Sequence, residues 1–306
     1  MSNARVNIQS ELEALSEAVE SSGVGTGSGL ASSSGVSVLR RGAAITGLIM
    51  LETFIRDRTE EILKDLEKWP ANYEDFPKRF RSRATIEALP HIEKYARMLQ
   101  RQNEDFETII FEQIGKMASM SPPAFAFTKF VAGDYTGNVS ESTVEDLMKV
   151  FQIKNCWGSL HTLSSDIGFG VPSVKETLKA LVRSRHRSAH SAGFNPNASD
   201  IVELPQNIRL VAICIDTALS ASLAVAVTDW RAWVGDHFDW RAGLEIFFAA
   251  PSGNAHQLKR KDAKKAIRVV NDVLEARSLL PNKKDGSTQL LVEKGKDGRP
   301  RKWFLR

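Results

Sequence analysis

Residues 185–190 read RHRSAH, a run of side chains that carry fixed charge and can move protons. Histidine takes and gives protons near neutral pH, its ordinary pKa being ~6.5. A guanidinium keeps its charge and can donate two hydrogen bonds to one phosphate. His186 and His190 are four apart, so on a helix they leave from one flank. The phase of that helix can be read as well. Ser173 followed three residues later by Glu176 predicts a capping box, and Val174, Leu178, Leu181 and Val182 then form the buried stripe. The next position on the stripe is Arg185. An arginine stands where a core residue is due, with two histidines beside it.

Other elements must hold that helix in place. Leu48, Leu51, Ile55, Ile62 and Leu66 recur at three, four and seven residues and predict a long buried helix starting near Val38. Glu52 falls inside this stripe. An unpaired buried carboxylate would cost several kcal/mol, so a partner is expected. A second helical region runs from Arg83 to Lys116 with Pro90 as a kink or boundary, residues 117–140 are rich in loops, and Ser140, Thr143 and Glu145 open a further apolar segment. Ile208 to Val227 supplies one more core helix. Nothing from Val38 to Val227 alternates as half-buried strands do, so the region reads as a helical bundle.

The ends differ from this middle. Ile8, Leu12, Leu15 and Val19 mark a short amphipathic helix, and residues 21–37 have the Gly/Ser composition of a linker. A phosphate-binding loop fits that linker poorly, because the GxGxxG register breaks at Ser28 and Leu30 and no GK[ST] follows. Near the other end, Trp230, Trp233, Trp240, Phe247 and Phe248 precede a basic run from Lys259 that predicts a helix. TQLLVEK and RKWFLR flank GKDGRP, a hairpin signal. The expected fold is therefore mainly α. Residues 1–37 hold the amphipathic helix and linker, 38–228 a helical bundle, and 229–306 a small basic α+β module of winged-helix-like pattern.

Composition narrows the class further. The 306 residues are 42% hydrophobic and 25% charged, ordinary for a globular protein. Residues 255–306 carry 15 Lys and Arg against 6 Asp and Glu, a net +9, whereas the whole chain is only +4, so the basicity belongs to the C-terminal end. Cys156 and Cys214 lack CxxC spacing, which points to a reducing cytoplasm. No apolar stretch reaches the ~18 residues of a membrane span, and the acidic N-terminus does not resemble a signal peptide.

In this context RHRSAH resembles the R-x4-H signature of the HEPN superfamily, with Arg185 in the arginine position, His186 in the polar position after it and His190 as the histidine. The segment RRGAAITGLIMLETFIRDRTEEIL resembles the first long helix of HEPN domains of ribonuclease type from prokaryotic defence and toxin systems, including its acidic residue, here Glu52. The resemblance covers residues 38–228. It implies a HEPN-like bundle and a metal-independent endoribonuclease that needs no cofactor and cuts RNA through the 2'-hydroxyl. It also implies a homodimer with two motifs facing one cleft, and a toxin or antiviral effector with a cognate antitoxin or regulatory protein. On that reading His190 is the general acid/base, Arg185 stabilises the phosphate, His186 orients it or shares the proton, and Glu52 holds Arg185 in its rotamer. Arg183 and Arg187 are outer RNA contacts.

Plainer readings stay open beside it. His186 and His190 have a spacing that suits zinc, though no acidic residue or cysteine lies near to complete the shell. Arg185 and Glu52 could form a structural ion pair without catalysis. His161, Ser164 and Asp166 contain the residue types of a hydrolase triad but no nucleophile elbow. Lys259, Arg260, Lys264 and Lys265 are either a nucleic-acid contact or a solvated face, and the tryptophans are core or a stacking platform. The competing function is a non-catalytic dimeric protein that binds nucleic acid as a regulator.

Overall fold

The computed structural model describes residues 2–21, 24, 34–68, 72–119, 126–134, 139–170 and 173–306. Most of the Gly/Ser linker, with Ser28 and Leu30, lies outside them, as do Pro70 and Pro172. The chain opens with α1 (Asn3–Ser21) and the long α2 (Ser34–Leu66), which at 1.5 Å per residue extends roughly 50 Å. Short helices follow: α3 (Lys78–Ala84), α4 (Ala88–Arg101), α5 (Phe106–Ala118), α6 (Glu141–Val150) and α7 (Cys156–Asp166). Pro90 sits in the first turn of α4, where a missing N–H costs nothing, so it marks a boundary. Then come α8 (Val174–His190), α9 (Ala198–Val202), the apolar α10 (Leu204–Thr228) and α11 (Trp230–Val234).

The bundle's core is built on α2, α8 and α10, which pack on one another. The α2 stripe is buried as its spacing predicts, with Leu48, Leu51, Ile55, Ile62 and Leu66 all nearly inaccessible. By length and composition α10 could cross a membrane, which the sequence reading had not recognised: one Asp216 does not offset the apolar residues around it. Some 72% of its apolar window is buried inside the protein. Ile8, Leu12, Leu15 and Val19 of α1 belong to the same core, so the N-terminal helix is a layer of the bundle rather than an appendage.

The C-terminal region differs most from its sequence reading. It forms one mixed sheet of β1 (Leu244–Ser252), β2 (Ala255–Arg260), β3 (Arg268–Val270), β4 (Thr288–Lys294) and β5 (Pro300–Leu305), in the order β3-β2-β1-β4-β5. Only the β1–β4 pair is parallel. The hairpin around GKDGRP is present as β4–β5. The helix expected from Lys259 onward is not. That stretch is the end of β2, a turn with Asp262 at φ 64° and strand β3, leaving only α12 (Val273–Ser278) helical. A two-residue turn at Gly253 and Asn254, with the glycine at φ 62°, folds β2 back onto β1, and the resulting cross-strand pairing overrides local helix propensity. The helices of this region are the five-residue α11 and the six-residue α12, beside a five-stranded sheet. Side chains alternate across the sheet: Ile246, Leu290, Val292 and Trp303 enter the bundle core, while Phe247, Ala249, Leu258 and Leu291 pack with Ala276 of α12.

Candidate active site at the end of a helix

The phase read from Ser173 is observed in α8, whose buried side is Val174, Leu178, Leu181 and Ser188. Ser173 Oγ accepts the Glu176 backbone N–H at 3.4 Å, so the serine half of the capping box forms. Arg185 occupies the stripe between Leu181 and Ser188 and is half-buried. Its Nε is enclosed yet has no hydrogen-bond partner, and among the described residues no carboxylate pairs with its guanidinium. His186 and His190 are exposed on the flank, with ring centroids 4.8 Å apart and planes tilted by 51°.

Two elements hold this end of the helix. Arg41, on the part of α2 that reads RRGAAIT, donates from Nε to the Ser188 carbonyl at 3.1 Å and from Nη1 to the Ala192 carbonyl at 3.0 Å. Those carbonyls belong to the last turn of α8 and the residues just beyond, where a cation complements the helix dipole. Arg187 turns over the ring of Phe194, 4.0 Å from its centroid, and so tethers the segment that leaves the helix. Arg183 is exposed. The sequence reading missed Arg41, although it lies inside the segment that carried the resemblance.

Glu52 is buried, but its partner differs from the expected one. Its Oε1 accepts the Val139 backbone N–H at 2.8 Å, so it ties α2 to the start of the α6 region. Burial pushes its carboxyl above the usual range, against the lowering effects of that hydrogen bond, Arg56 and Arg185. Arg185 is thus near enough to act through its charge, yet no ion pair joins the two among the described residues. No hydrogen bond from Arg185 reaches Glu52 among the described residues.

The remaining candidates are dispersed. Among the described residues, no third His, Cys, Asp or Glu stands with His186 and His190 as a metal shell. Ser164 is buried and its Oγ donates to the carbonyl of His161, while Asp166 binds Lys261 at 2.5 Å and Arg241 at 2.9 Å, so no triad forms. Trp233 and Trp240 are core residues. Lys259 and Arg260 lie on opposite faces of β2, Arg260 pairs with Glu245 at 3.0 Å, and Lys264 and Lys265 are exposed in the turn after it. Asp166, the last residue of α7, anchors this basic turn through Lys261. Within α8, RHRSAH occupies the last six residues, Arg185 roughly 17 Å and His190 roughly 24 Å along the axis from Val174.

A family model described as RiboL-PSP-HEPN matches residues 4–221. The chain belongs to that HEPN family. The match takes in α1, which the sequence reading had placed outside the resemblance, and ends within α10, so the sheet lies beyond it. No curated protein and no solved structure matched the chain. Arg185, His186 and His190 fall inside the matched span, together in the last two turns of α8.

Proposed function

We propose that this HEPN protein is a metal-independent endoribonuclease, with Arg185 and His190 as its catalytic pair and His186 assisting. One observation carries the reading. Among the described residues, the guanidinium on the core stripe has no hydrogen-bond or ion-pair partner, beside two exposed histidines one turn apart. A structural arginine at such a position would be expected to pair, because an unsatisfied buried donor costs about 1–3 kcal/mol. The same group can offer hydrogen bonds and fixed charge to a pentavalent phosphate, while a histidine removes the 2'-hydroxyl proton or protonates the leaving oxygen. His190 is the better general acid/base because it fills the motif's histidine position, and Arg183 would meet flanking phosphates.

The site would be completed by a second copy. Val38, Leu39 and Ile49 are exposed along α2 on either side of Arg41, an apolar surface next to the motif helix that suits a two-fold contact. Cys156 and Cys214, buried thiols, suit a reducing compartment such as the cytoplasm, where a toxin or antiviral effector would meet cellular RNA and an antitoxin or regulatory protein. The decisive experiment incubates RNA with purified protein, with and without EDTA, beside Arg185→Ala and His190→Ala. Cleavage that survives the chelator and is lost in both variants supports the reading. EDTA-sensitive cleavage, or activity kept in His190→Ala, overturns it and favours a binding protein.

A further inference from the structure

The two edges of the sheet are treated differently by the rest of the chain. At β5 the bundle reaches in: Gln9 Nε2 of α1 donates to the Trp303 carbonyl at 2.8 Å, and Gln206 Nε2 of α10 to the Pro300 carbonyl at 3.1 Å. β3 ends the sheet on the other side, paired with β2 in the register His256 to Val270, Gln257 to Val269 and Leu258 to Arg268. Among the described residues, no hydrogen bond from outside the sheet reaches Arg268–Val270. Such an edge is a template for one more strand. Two apolar side chains also stand open here. Val270 turns into the core beside α12, so Val269 faces the other way and is 59% exposed, and Ile267, just before the strand, is 47% exposed. Around them residues 259–268 hold six Lys and Arg against one Asp. Arg260 and Lys261 are paired with Glu245 and Asp166, but Lys264, Lys265 and Arg268 are exposed and form no ion pair among the described residues.

We propose that β3 is a docking edge for an extended acidic segment of a partner protein, which adds to the five-stranded sheet as a further strand. Arg268 and Val269 face opposite sides of the sheet, so a segment alternating acidic and apolar residues matches both. Charge decides the occupant. A second copy of this chain pairing through its own β3 would bring two sets of unpaired cations together, which like-charge repulsion opposes. An RNA strand would meet the cations but leave the main chain of β3 and its open valine unused. An acidic strand engages main chain, cations and apolar surface together, which is how an extended segment recognises a sheet edge. Because β3 is only three residues long, few main-chain bonds can form. Charge must supply much of the attraction, so the affinity should fall with added salt.

The test is fluorescence anisotropy of a capped, labelled peptide of alternating glutamate and valine, titrated with the full chain. Saturable binding in the micromolar range that weakens as salt rises is expected. A copy N-methylated at every residue keeps the side chains but donates no main-chain hydrogen bond, and it should bind weaker by about tenfold or more. Lys264→Glu with Lys265→Glu, both in the exposed turn, should weaken the unmethylated peptide by a similar factor. Arg185→Ala should bind it unchanged, which separates this edge from the proposed ribonuclease site whether or not RNA is cut. A 2'-O-methyl RNA strand, which cannot be cleaved through its sugar hydroxyl, serves as competitor and should displace the peptide only weakly. No saturable peptide binding, equal affinity for the methylated copy, an unaltered affinity in the double lysine variant or a loss of affinity in Arg185→Ala would each overturn the proposal. RNA that binds through these two lysines more tightly than the peptide does would also overturn it, in favour of a nucleic-acid track.

Discussion

Two arginine sites in this molecule have opposite designs. Around Asp216, on the apolar α10, nearly every polar group has a partner. Arg5 from α1 and Arg58 from α2 bind the carboxylate, Trp303 Nε1 of β5 donates to it at 2.7 Å and Ser220 Oγ at 3.2 Å. Arg58 also reaches Glu61 at 3.0 Å, and Glu61 in turn accepts the Ala4 N–H at 2.9 Å. One buried carboxylate thereby ties together the N-terminal helix, the long helix, the core helix and the last strand. At the end of α8 the opposite holds: Arg185 has no ion pair among the described residues and the histidines face solvent. A charge that completes the fold is expected to be satisfied by the fold, whereas a charge kept for a ligand is expected to be left with capacity to spare.

The largest effect should come from the closed site. Asp216→Ala would leave Arg5 and Arg58 buried without their counter-charge, and breaking a buried pair from one side costs roughly 3–5 kcal/mol. Chemical denaturation should show that loss, or failure of the chain to fold. A loss below about 1 kcal/mol would make the knot an incidental contact on the scale of surface ion pairs. Its pH dependence has a definite sign. Burial alone would raise the Asp216 carboxyl, but Arg5, Arg58 and their hydrogen bonds, with that of Trp303, outweigh it and hold the group well below the usual carboxylate range. The stabilisation is therefore complete above the unfolded pKa of ~3.9 and is lost as pH falls toward the depressed folded value. Acid unfolding of the parent should begin below about pH 4.

The open site should respond the other way, in rate and not in stability. His190→Ala removes an exposed side chain, so the melting temperature should hardly move, while RNA cleavage falls by about 10²- to 10⁴-fold if His190 transfers the proton. Arg41→Ala sharpens the contrast. It frees the carbonyls of Ser188 and Ala192 without replacing Arg185, His186 or His190, so turnover should drop more than RNA binding, and stability by about 1 kcal/mol for lost helix-terminus contacts. Equal losses in binding and turnover would instead make Arg41 an RNA contact.

How much of this was legible in the sequence follows from the range of the forces involved. The α8 phase, the α2 stripe and the β4–β5 hairpin were readable because caps, turns and periodic burial act over a few residues. The Asp216 knot was not: its members are 211, 158 and 87 positions from Asp216, and inside an apolar run a single aspartate resembles an interruption. The basic stretch from Lys259 misled for a related reason. Its composition favours a helix locally, while its strand pairing depends on β1 and the turn at Gly253. Glu52 lies between these cases, since its burial was predictable and its partner, the Val139 N–H, was not.

Glu52 supplies the smallest effect and the finest discrimination. Because burial raises its folded pKa, the sign is the reverse of that at Asp216. Its contribution to stability is fully present below the unfolded pKa of ~4.3 and is lost as pH rises through the elevated folded value. Glu52→Gln removes that titration and keeps an oxygen for the Val139 N–H, so at neutral pH the variant should match or slightly exceed the parent in stability. The difference should shrink as pH falls toward 4, which thermal melts at several pH values would measure. Cleavage should fall only modestly, because Glu52 reaches Arg185 through charge alone. A drop as deep as that of His190→Ala would show that Glu52 positions Arg185 in the proposed ribonuclease after all, through an ion pair that forms only when RNA or a second copy draws the guanidinium toward it.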